Sequence, residues 1–154
     1  AQTSEDMGEL ITQIPGSIGY IGLAYNKEFD LRFAAMQNSS GNYVKPSNET
    51  LTEAASLDIP EDGRVSCIFT DMENGYPLTS FSWMIVYREQ FYNQRPKKHV
   101  KQFYHFLSWM IEQSNKFNPE LDFPILPKNA VENNMYLLHS MTYKGGMLRR
   151  FKNQ

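Results

Sequence analysis

The chain has 154 residues, of which 41% are hydrophobic and 21% are charged, and its formal net charge is -2. This balance is typical of one globular domain, and it argues against a disordered segment and against a basic nucleic-acid-binding protein. The single cysteine, Cys67, excludes an intramolecular disulfide, and no run of about 18 apolar residues predicts a membrane span. Because the sequence begins at Ala1 without a methionine, we expect a chain that was processed, trimmed or expressed as a piece.

The first predicted elements are a helix and a buried strand. Ser4, followed by two acidic residues, predicts a helix start. The helix is expected to end by Gln13, because Pro15 disfavours helical backbone in the residue before it. Residues 17–24 then predict a short strand, in which glycines allow close packing of the backbone.

A turn and a second helix follow. Residues 38–42 (NSSGN) predict a turn in which Gly41 adopts positive φ. Residues 46–47 (PS) open a predicted helix that runs through residues 51–55. Residues 57–63 are polar and interrupted by proline, which is typical of a crossing segment or surface loop.

The second half of the chain predicts one strand and two helices. Residues 81–87 (FSWMIVY) are too apolar for a strand with one solvated face and predict a strand buried on both faces. Residues 97–113 and 128–143 predict helices, the second of them stopped by Gly145 and Gly146. The apolar positions at helical spacing are Val100, Phe103, Phe106, Leu107, Met110 and Ile111 in the first helix, and Val131, Met135 and Leu138 in the second.

Helices that alternate with buried strands predict an α/β fold. Only two or three strands are convincing, and a sheet of that width leaves its edges unpaired. The pattern therefore predicts that strands from elsewhere complete the sheet.

Side chains with metal-binding or nucleophilic chemistry are sparse. His99 and His105 are not spaced to share one helix face, and His139 stands alone on another helix, so we interpret all three as surface or partly packed imidazoles. Cys67 has no neighbouring His or helix start that would lower its pKa, and it is interpreted as a small buried residue. The sequence predicts no metal site and no catalytic residue.

Two pairs of carboxylates have the spacing of an acid and a base. Glu49 and Glu53 fall on one face of the predicted helix, and Asp71 and Glu73 follow later in the chain. We interpret the helical pair as a solvated face.

Two further patterns resemble known sites only formally. Gly16, Gly19 and Gly22 lack the Lys-Ser/Thr ending of a phosphate loop and lie within the predicted strand, so they indicate close backbone packing. Asn38 and Asn48 begin N-x-S/T tripeptides, which matter only in a eukaryotic secretory route.

The aromatic residues of the long helix allow two interpretations. Phe103, Tyr104, Phe106 and Trp109 would form a ligand-stacking cluster or fill the core, and their helical spacing favours the core. The basic pairs at residues 97–98 and 149–150 are predicted to be solvated helix ends.

Several segments, in order along the chain, carry a family resemblance. Residues 15–20 (PGSIGY) match the motif PGAIGY apart from Ser17 in place of Ala. The other matching segments are residues 4–8 (SEDMG), 24–27 (AYNK), 38–46 (NSSGNYVKP), 51–55 (LTEAA), 76–80 (YPLTS), 81–86 (FSWMIV) and 121–127 (LDFPILP). In this order and spacing they resemble the C-terminal half of the periplasmic phosphate-binding proteins of ABC importers.

The resemblance implies a two-lobed type II binding-protein fold, in which each lobe is a mixed sheet flanked by helices. By analogy, residues 1–70 belong to the second lobe, residues 71–154 return to the first, and the N-terminal half is missing. The family holds phosphate between its lobes with hydroxyls, backbone amides, an Arg and an Asp of that N-terminal half, including a Ser-Gly-Thr at a helix start. This chain has no Ser-Gly-Thr, and its residues 39–41 (SSG) fall at a hairpin-like position. No ligand-binding residue is therefore carried over.

The function implied by the resemblance is that of the C-terminal portion of a substrate-binding protein that captures inorganic phosphate. Such a protein is not an enzyme, needs no cofactor, and is periplasmic or exposed at the cell surface. The implied partners are an ABC permease and a complementary N-terminal half or a domain-swapped copy. The alternative is a stand-alone, non-catalytic interaction module derived from the same fold, or a binder of another oxyanion. An unpaired sheet edge with a hydrophobic patch would mark the half-protein, and a self-covered core would mark the module.

Overall fold

Helices dominate the regular structure, and the strands are short. The structure is a computed structural model that describes residues 1–121 and 123–148, apart from the side chains of Asn26 and Lys27. The helices are α1 (Ser4–Gln13), α2 (Asn26–Phe29), α3 (Asn48–Ala55), α4 (Lys97–Phe117) and α5 (Lys128–His139), with 3-10 turns at Leu23–Tyr25 and Asn118–Leu121. The strands are β1 (Met36–Gln37), β2 (Tyr43–Val44), β3 (Thr142–Tyr143) and β4 (Gly146–Met147), which form two antiparallel hairpins, β1–β2 and β3–β4. This mixture of helices and small sheets is compatible with the predicted α/β class.

The first helix is confirmed, with its cap one residue earlier than predicted. Thr3, not Ser4, caps α1: its hydroxyl accepts a hydrogen bond from the amide of Asp6. The carboxylate of Asp6 in return accepts bonds from the amides of Gln2 and Thr3, which lower the pKa of this carboxyl. The helix ends at Gln13, as the following proline predicts.

The predicted strand at residues 17–24 is wrong. Residues 17–22 lie outside any helix or strand, and the 3-10 turn Leu23–Tyr25 follows them. Ile18 is 98% exposed and Tyr20 is 84% exposed. A strand requires a neighbour to pair its backbone, and residues 1–121 and 123–148 supply none at this position.

Gly19 is accordingly exposed, and it does not lie in a strand buried on both faces. A Cβ atom at this position would lie 2.5 Å from Cδ1 of Ile11 and 2.7 Å from Sδ of Met7. Side chains of α1, not of a neighbouring strand, therefore limit the space beside Gly19.

The turn and helix predicted next are confirmed. β1 and β2 pair in a hairpin with Met36 opposite Val44, and Gly41 in its turn has φ +86°. The hydroxyl of Ser47 caps α3 by accepting a hydrogen bond from the amide of Thr50. Local turn and capping chemistry therefore determines this part of the chain.

The predicted strand at residues 81–87 is also wrong. No strand is formed there among the residues described, and most of the apolar side chains in this segment are exposed. Ile85 is the extreme case, with 95% of its surface accessible. The composition favours a strand buried on both faces, but the elements that would bury it are not present in this part of the structure.

The core lies between α4 and α5 and beneath the last hairpin. α5 ends at His139, so the predicted helix to residue 143 is wrong beyond that point. Lys144 and Gly145 have positive φ and form the turn of β3–β4, which is why Tyr143 belongs to a strand. The buried core residues are Val100, Tyr104, Leu107, Leu138, Met141 and Leu148.

Within the residues that are described, no helix is long and apolar enough to cross a membrane. The basic pair at residues 149–150 lies outside the described residues, and the assignment of residues 1–70 and 71–154 to two lobes stays a prediction.

Candidate functional site

The three histidines do not come together. His99 and His105 are exposed on α4, and His139 is half-buried at the end of α5. Across residues 1–121 and 123–148, no group of three or more His, Cys, Asp and Glu side chains could hold a metal ion.

Cys67 is buried and engaged in a structural contact. Its thiol lies 3.3 Å from the carbonyl oxygen of Thr79 and donates a hydrogen bond to it. Burial raises the pKa of the Cys67 thiol, which disfavours the thiolate that a nucleophile requires. The sequence-based interpretation of Cys67 as a small buried residue agrees with this position.

The carboxylate pairs have the surroundings of surface groups. Glu49 is exposed at the start of α3, and a hydrogen bond from the Ser47 side chain lowers the pKa of its carboxyl. Asp71 and Glu73 are exposed as well. A general acid needs a raised pKa, and the pKa of Glu49 is lowered, so this carboxyl is poorly suited to that role.

The NSSGN turn of β1–β2 contains a polar clamp. Asn38 is only 5% exposed, and its side-chain nitrogen donates to the carbonyl oxygens of Met72, Glu73 and Gly75 at 3.2, 2.9 and 3.3 Å. Its side-chain oxygen accepts a bond from the amide of Asn42 at 3.0 Å. The Asn38 nitrogen is thus buried in backbone contacts and is not presented as a glycosylation acceptor.

The hydroxyls of the same turn also serve the fold. Ser39 donates to the carbonyl oxygen of Phe69 at 2.8 Å, and Ser40 donates to that of Asp71 at 3.0 Å. These donors hold the hairpin against residues 69–75. The turn is therefore a tertiary contact.

The aromatic residues of α4 divide between two faces. Tyr104 is buried in the core and Phe103 packs against it, as predicted for core filling. Phe106 and Trp109 are half exposed, and their rings stack with centroids 6.4 Å apart. For these two residues the core prediction is wrong in this structure, because nothing described here covers their side of α4.

Sequence reasoning missed a cluster around Glu89. The Glu89 carboxylate accepts hydrogen bonds from the amides of Phe91, Lys144 and Gly145 and from the hydroxyl of Thr142, at 2.8 to 3.1 Å. These bonds to the charged form, led by that from Phe91, lower the pKa of Glu89 to about 2. No local pattern reveals the whole cluster, because three of its four donors lie more than fifty residues along the chain.

Gln90 and Arg95 extend this cluster into the core. Gln90 is 1% exposed. Its side-chain nitrogen donates to the carbonyl oxygen of Tyr87, and its side-chain oxygen accepts a bond from Nη1 of Arg95 at 2.7 Å. The Arg95 guanidinium lies over the rings of Tyr92 and Phe103, 5.5 and 4.9 Å from their centroids. All these polar groups are used within the chain.

A pocket of about 420 Å³ opens beside Gln90. Its lining residues are Ile85, Val86, Tyr87, Gln90, Tyr92 and Phe103. The lining is mainly apolar and aromatic and offers no convergent charged groups, so it is unsuited to an oxyanion.

Two exposed stretches of backbone have no hydrogen-bond partners among the described residues. The backbone N–H and C=O groups of residues 82–86 and of residues 18–21 make no hydrogen bond to the rest of the described chain. Apolar side chains, among them Ile18, Trp83 and Ile85, project from both stretches and are exposed. Among the described residues, the candidate functional feature is thus an uncovered surface.

Comparisons with known proteins confirm the resemblance seen in the motifs. No protein-family model matches the chain. The phosphate-binding protein PstS of Xylella fastidiosa (strain 9a5c) is 30% identical over 132 residues, which cover 84% of this chain and 35% of that protein. PstS of Haemophilus influenzae is 29% identical over 131 residues, and PstS of Methanocaldococcus jannaschii is 26% identical over 116 residues. The chain spans about a third of the length of the curated relatives that it matches.

Proposed function

We propose that this chain, a sequence relative of the phosphate-binding proteins, is the C-terminal portion of a substrate-binding protein that captures inorganic phosphate for an ABC importer. The observation that carries the proposal is the similarity to PstS proteins over 84% of the chain. The ordered series of motifs from residue 4 to residue 127 supports it. The complete protein is proposed to have a two-lobed type II fold, to work without a cofactor or catalysis, and to act in the periplasm or at the cell surface.

The uncovered surface favours a portion of a larger fold over a stand-alone module. A module would cover its own core, whereas Ile18 and Ile85 are almost fully exposed here. Both residues lie in segments that have strand-like sequences but no pairing partners within residues 1–121 and 123–148. These features match what is expected when the sheets are completed by other residues.

The phosphate ligand is proposed to bind through residues outside this chain. An oxyanion needs several converging donors to replace its water. The donors of Asn38, Ser39 and Ser40 are directed at backbone carbonyls. The side-chain nitrogen of Gln90 donates to the carbonyl oxygen of Tyr87, and the Arg95 guanidinium donates to the side-chain oxygen of Gln90 and lies over the ring of Phe103. The contribution of this chain would thus be the framework that supports the lobes.

A chimera tests the proposal. In PstS of Xylella fastidiosa, the region that this chain matches is replaced by the chain, and phosphate binding is measured by isothermal titration. We expect saturable binding of one phosphate per chimera. As the matched control, the same region is replaced by the corresponding segment of the Haemophilus influenzae protein, which has nearly the same identity to this chain over nearly the same length.

The outcome is read against the control chimera. A chimera that unfolds cooperatively but does not bind phosphate, while the control does, would contradict the proposed function. Binding of another oxyanion in preference to phosphate, measured with sulfate in the same titration, would favour the alternative ligand.

A further inference from the structure

We propose that the hydrogen-bond donors around the Glu89 side chain form a carboxylate-binding site, which the chain fills with Glu89 as an internal ligand. These donors, here called the carboxylate cradle, are the amides of Phe91, Lys144 and Gly145 and the hydroxyl of Thr142. A free monocarboxylate such as acetate is expected to occupy the cradle when the Glu89 side chain is removed. The inference is independent of the proposed function.

The first argument is the division of the donors between the two oxygens of Glu89. Oε1 accepts bonds from the amides of Phe91 at 2.8 Å and Lys144 at 3.0 Å. Oε2 accepts bonds from the hydroxyl of Thr142 at 2.9 Å and the amide of Gly145 at 3.1 Å. Two donors for each of two oxygens match a carboxylate. A tetrahedral oxyanion such as phosphate would bring further oxygens beyond the two that these four donors satisfy.

The second argument is that the backbone holds the cradle in place without the Glu89 side chain. Lys144 and Gly145 have φ of +50° and +75° in the turn of β3–β4, which the pairing of the two strands closes. Successive N–H groups in such a turn form a concavity that suits an anion. The amide of Gln90 donates to the carbonyl oxygen of Thr142 at 2.9 Å. This bond fixes the two remaining donors, since they lie at Thr142 itself and at the residue after Gln90.

The third argument is the charge and exposure of the cradle. Nζ of Lys144 lies 4.2 Å from the centroid of the Phe91 ring, so the ammonium group is held beside the two residues that donate to Oε1. A positive charge nearby favours a bound anion. The cradle bonds, led by that from Phe91, also lower the pKa of Glu89, as expected of donors that favour a charged carboxylate. Glu89 is exposed, so a ligand can reach the cradle from solvent once this side chain is removed.

In the parent chain, Glu89 excludes free carboxylates from the cradle. A carboxylate that is attached to the chain beside its donors has a far higher effective concentration than a millimolar solute. Glu89 therefore acts as a latch that joins the β3–β4 hairpin to residues 89–91 and keeps solution anions out. The cradle is expected to respond to added carboxylate only when the latch is removed.

The experiment measures the Tm of the 154-residue chain and of Glu89→Ala in sodium acetate and in sodium chloride at equal ionic strength and neutral pH. If the dissociation constant is on the order of 10 mM, about 100 mM acetate should raise the Tm of Glu89→Ala by roughly 3 °C or more relative to chloride. The parent chain should not respond. Sodium phosphate at the same ionic strength should raise the Tm of Glu89→Ala less than acetate does.

Two variants serve as controls for the position of the ligand. Glu89→Gln should not respond to acetate, because its amide group still fills the cradle. Glu89→Ala combined with Thr142→Val lacks the hydroxyl donor and should respond less than Glu89→Ala alone. In an NMR titration of Glu89→Ala with acetate, the amide resonances of Lys144 and Gly145 should shift and saturate.

The other outcomes overturn the inference. If Glu89→Ala unfolds cooperatively with the same Tm in acetate and chloride, the cradle does not bind a free carboxylate. An equal rise in the parent chain would place the effect of acetate elsewhere, and a larger effect of phosphate would contradict the assignment to a carboxylate. If Glu89→Ala shows no cooperative unfolding with or without acetate, the donors do not persist without the Glu89 side chain and the proposal is refuted.

Discussion

Replacement of Asn38 by alanine is expected to destabilise the chain through the loss of the hairpin clamp. The side chain is buried, and its two shortest hydrogen bonds are those to the carbonyl oxygen of Glu73 at 2.9 Å and from the amide of Asn42 at 3.0 Å. At about 1 kcal/mol for each, Asn38→Ala should lower the free energy of unfolding by about 2 kcal/mol. In a chain of this size the corresponding fall in Tm is about 4–8 °C.

Urea unfolding followed by tryptophan fluorescence measures this effect. Ser40→Ala is the control, because it removes one hydrogen bond from an exposed residue of the same turn and should cost under about 1 kcal/mol. Asn38→Asp should be worse than alanine at neutral pH, since it places a carboxylate oxygen against three carbonyl oxygens. If Asn38→Ala unfolds at the same urea concentration as the parent, the clamp does not hold the hairpin and the reasoning is refuted.

Three further predictions concern pH, the core and the first helix. The pKa of Glu89 is lowered from 4.5 to about 2, so its stabilisation is fully present above pH 4.5 and is lost as the pH falls toward 2. Urea unfolding between pH 6 and pH 2.5 should show this loss, and Glu89→Gln should make the dependence shallower; an unchanged pH profile would count against the cluster. Leu138→Ala in the core should cost about 2–5 kcal/mol, whereas Tyr136→Ala on the exposed side of α5 should cost far less; equal costs would contradict the placement of the core. Gly19→Val should cost roughly 1–3 kcal/mol by displacing Ile11 and Met7, with Gly22→Ala as a near-neutral control in thermal unfolding; a Tm equal to that of the parent would show that α1 does not crowd Gly19.

The helices were predictable because their signals are local. The apolar spacing of α4, the capping hydroxyl of Ser47 and the proline after α1 all act within a few residues. The two strand predictions failed in this structure for the opposite reason. A strand at residues 17–24 or 81–87 depends on pairing partners elsewhere in the sequence. Apolar composition indicates that a segment is buried, but it does not identify the residues that bury it.

The polar clusters were beyond prediction from the sequence. Glu89 meets Thr142, Lys144 and Gly145 only after α4 and α5 have brought the last hairpin back to it. In the sequence, Asn38 likewise looks like an ordinary turn residue, because its burial depends on contacts with residues 72–75. The interpretations of the histidines as surface or partly packed groups and of Cys67 as a small buried residue were accessible, since an unsuitable spacing and the absence of activating neighbours are visible in the sequence itself.

Isothermal titration of the isolated 154-residue chain with inorganic phosphate tests the central claim most directly. The account holds that this portion supports the fold of a phosphate-binding protein but lacks the groups that contact the ligand. It predicts no saturable heat of binding from the isolated chain at millimolar phosphate, whereas the Xylella fastidiosa chimera binds. Micromolar or tighter binding by the isolated chain would contradict the claim, because it would place an oxyanion site within this chain.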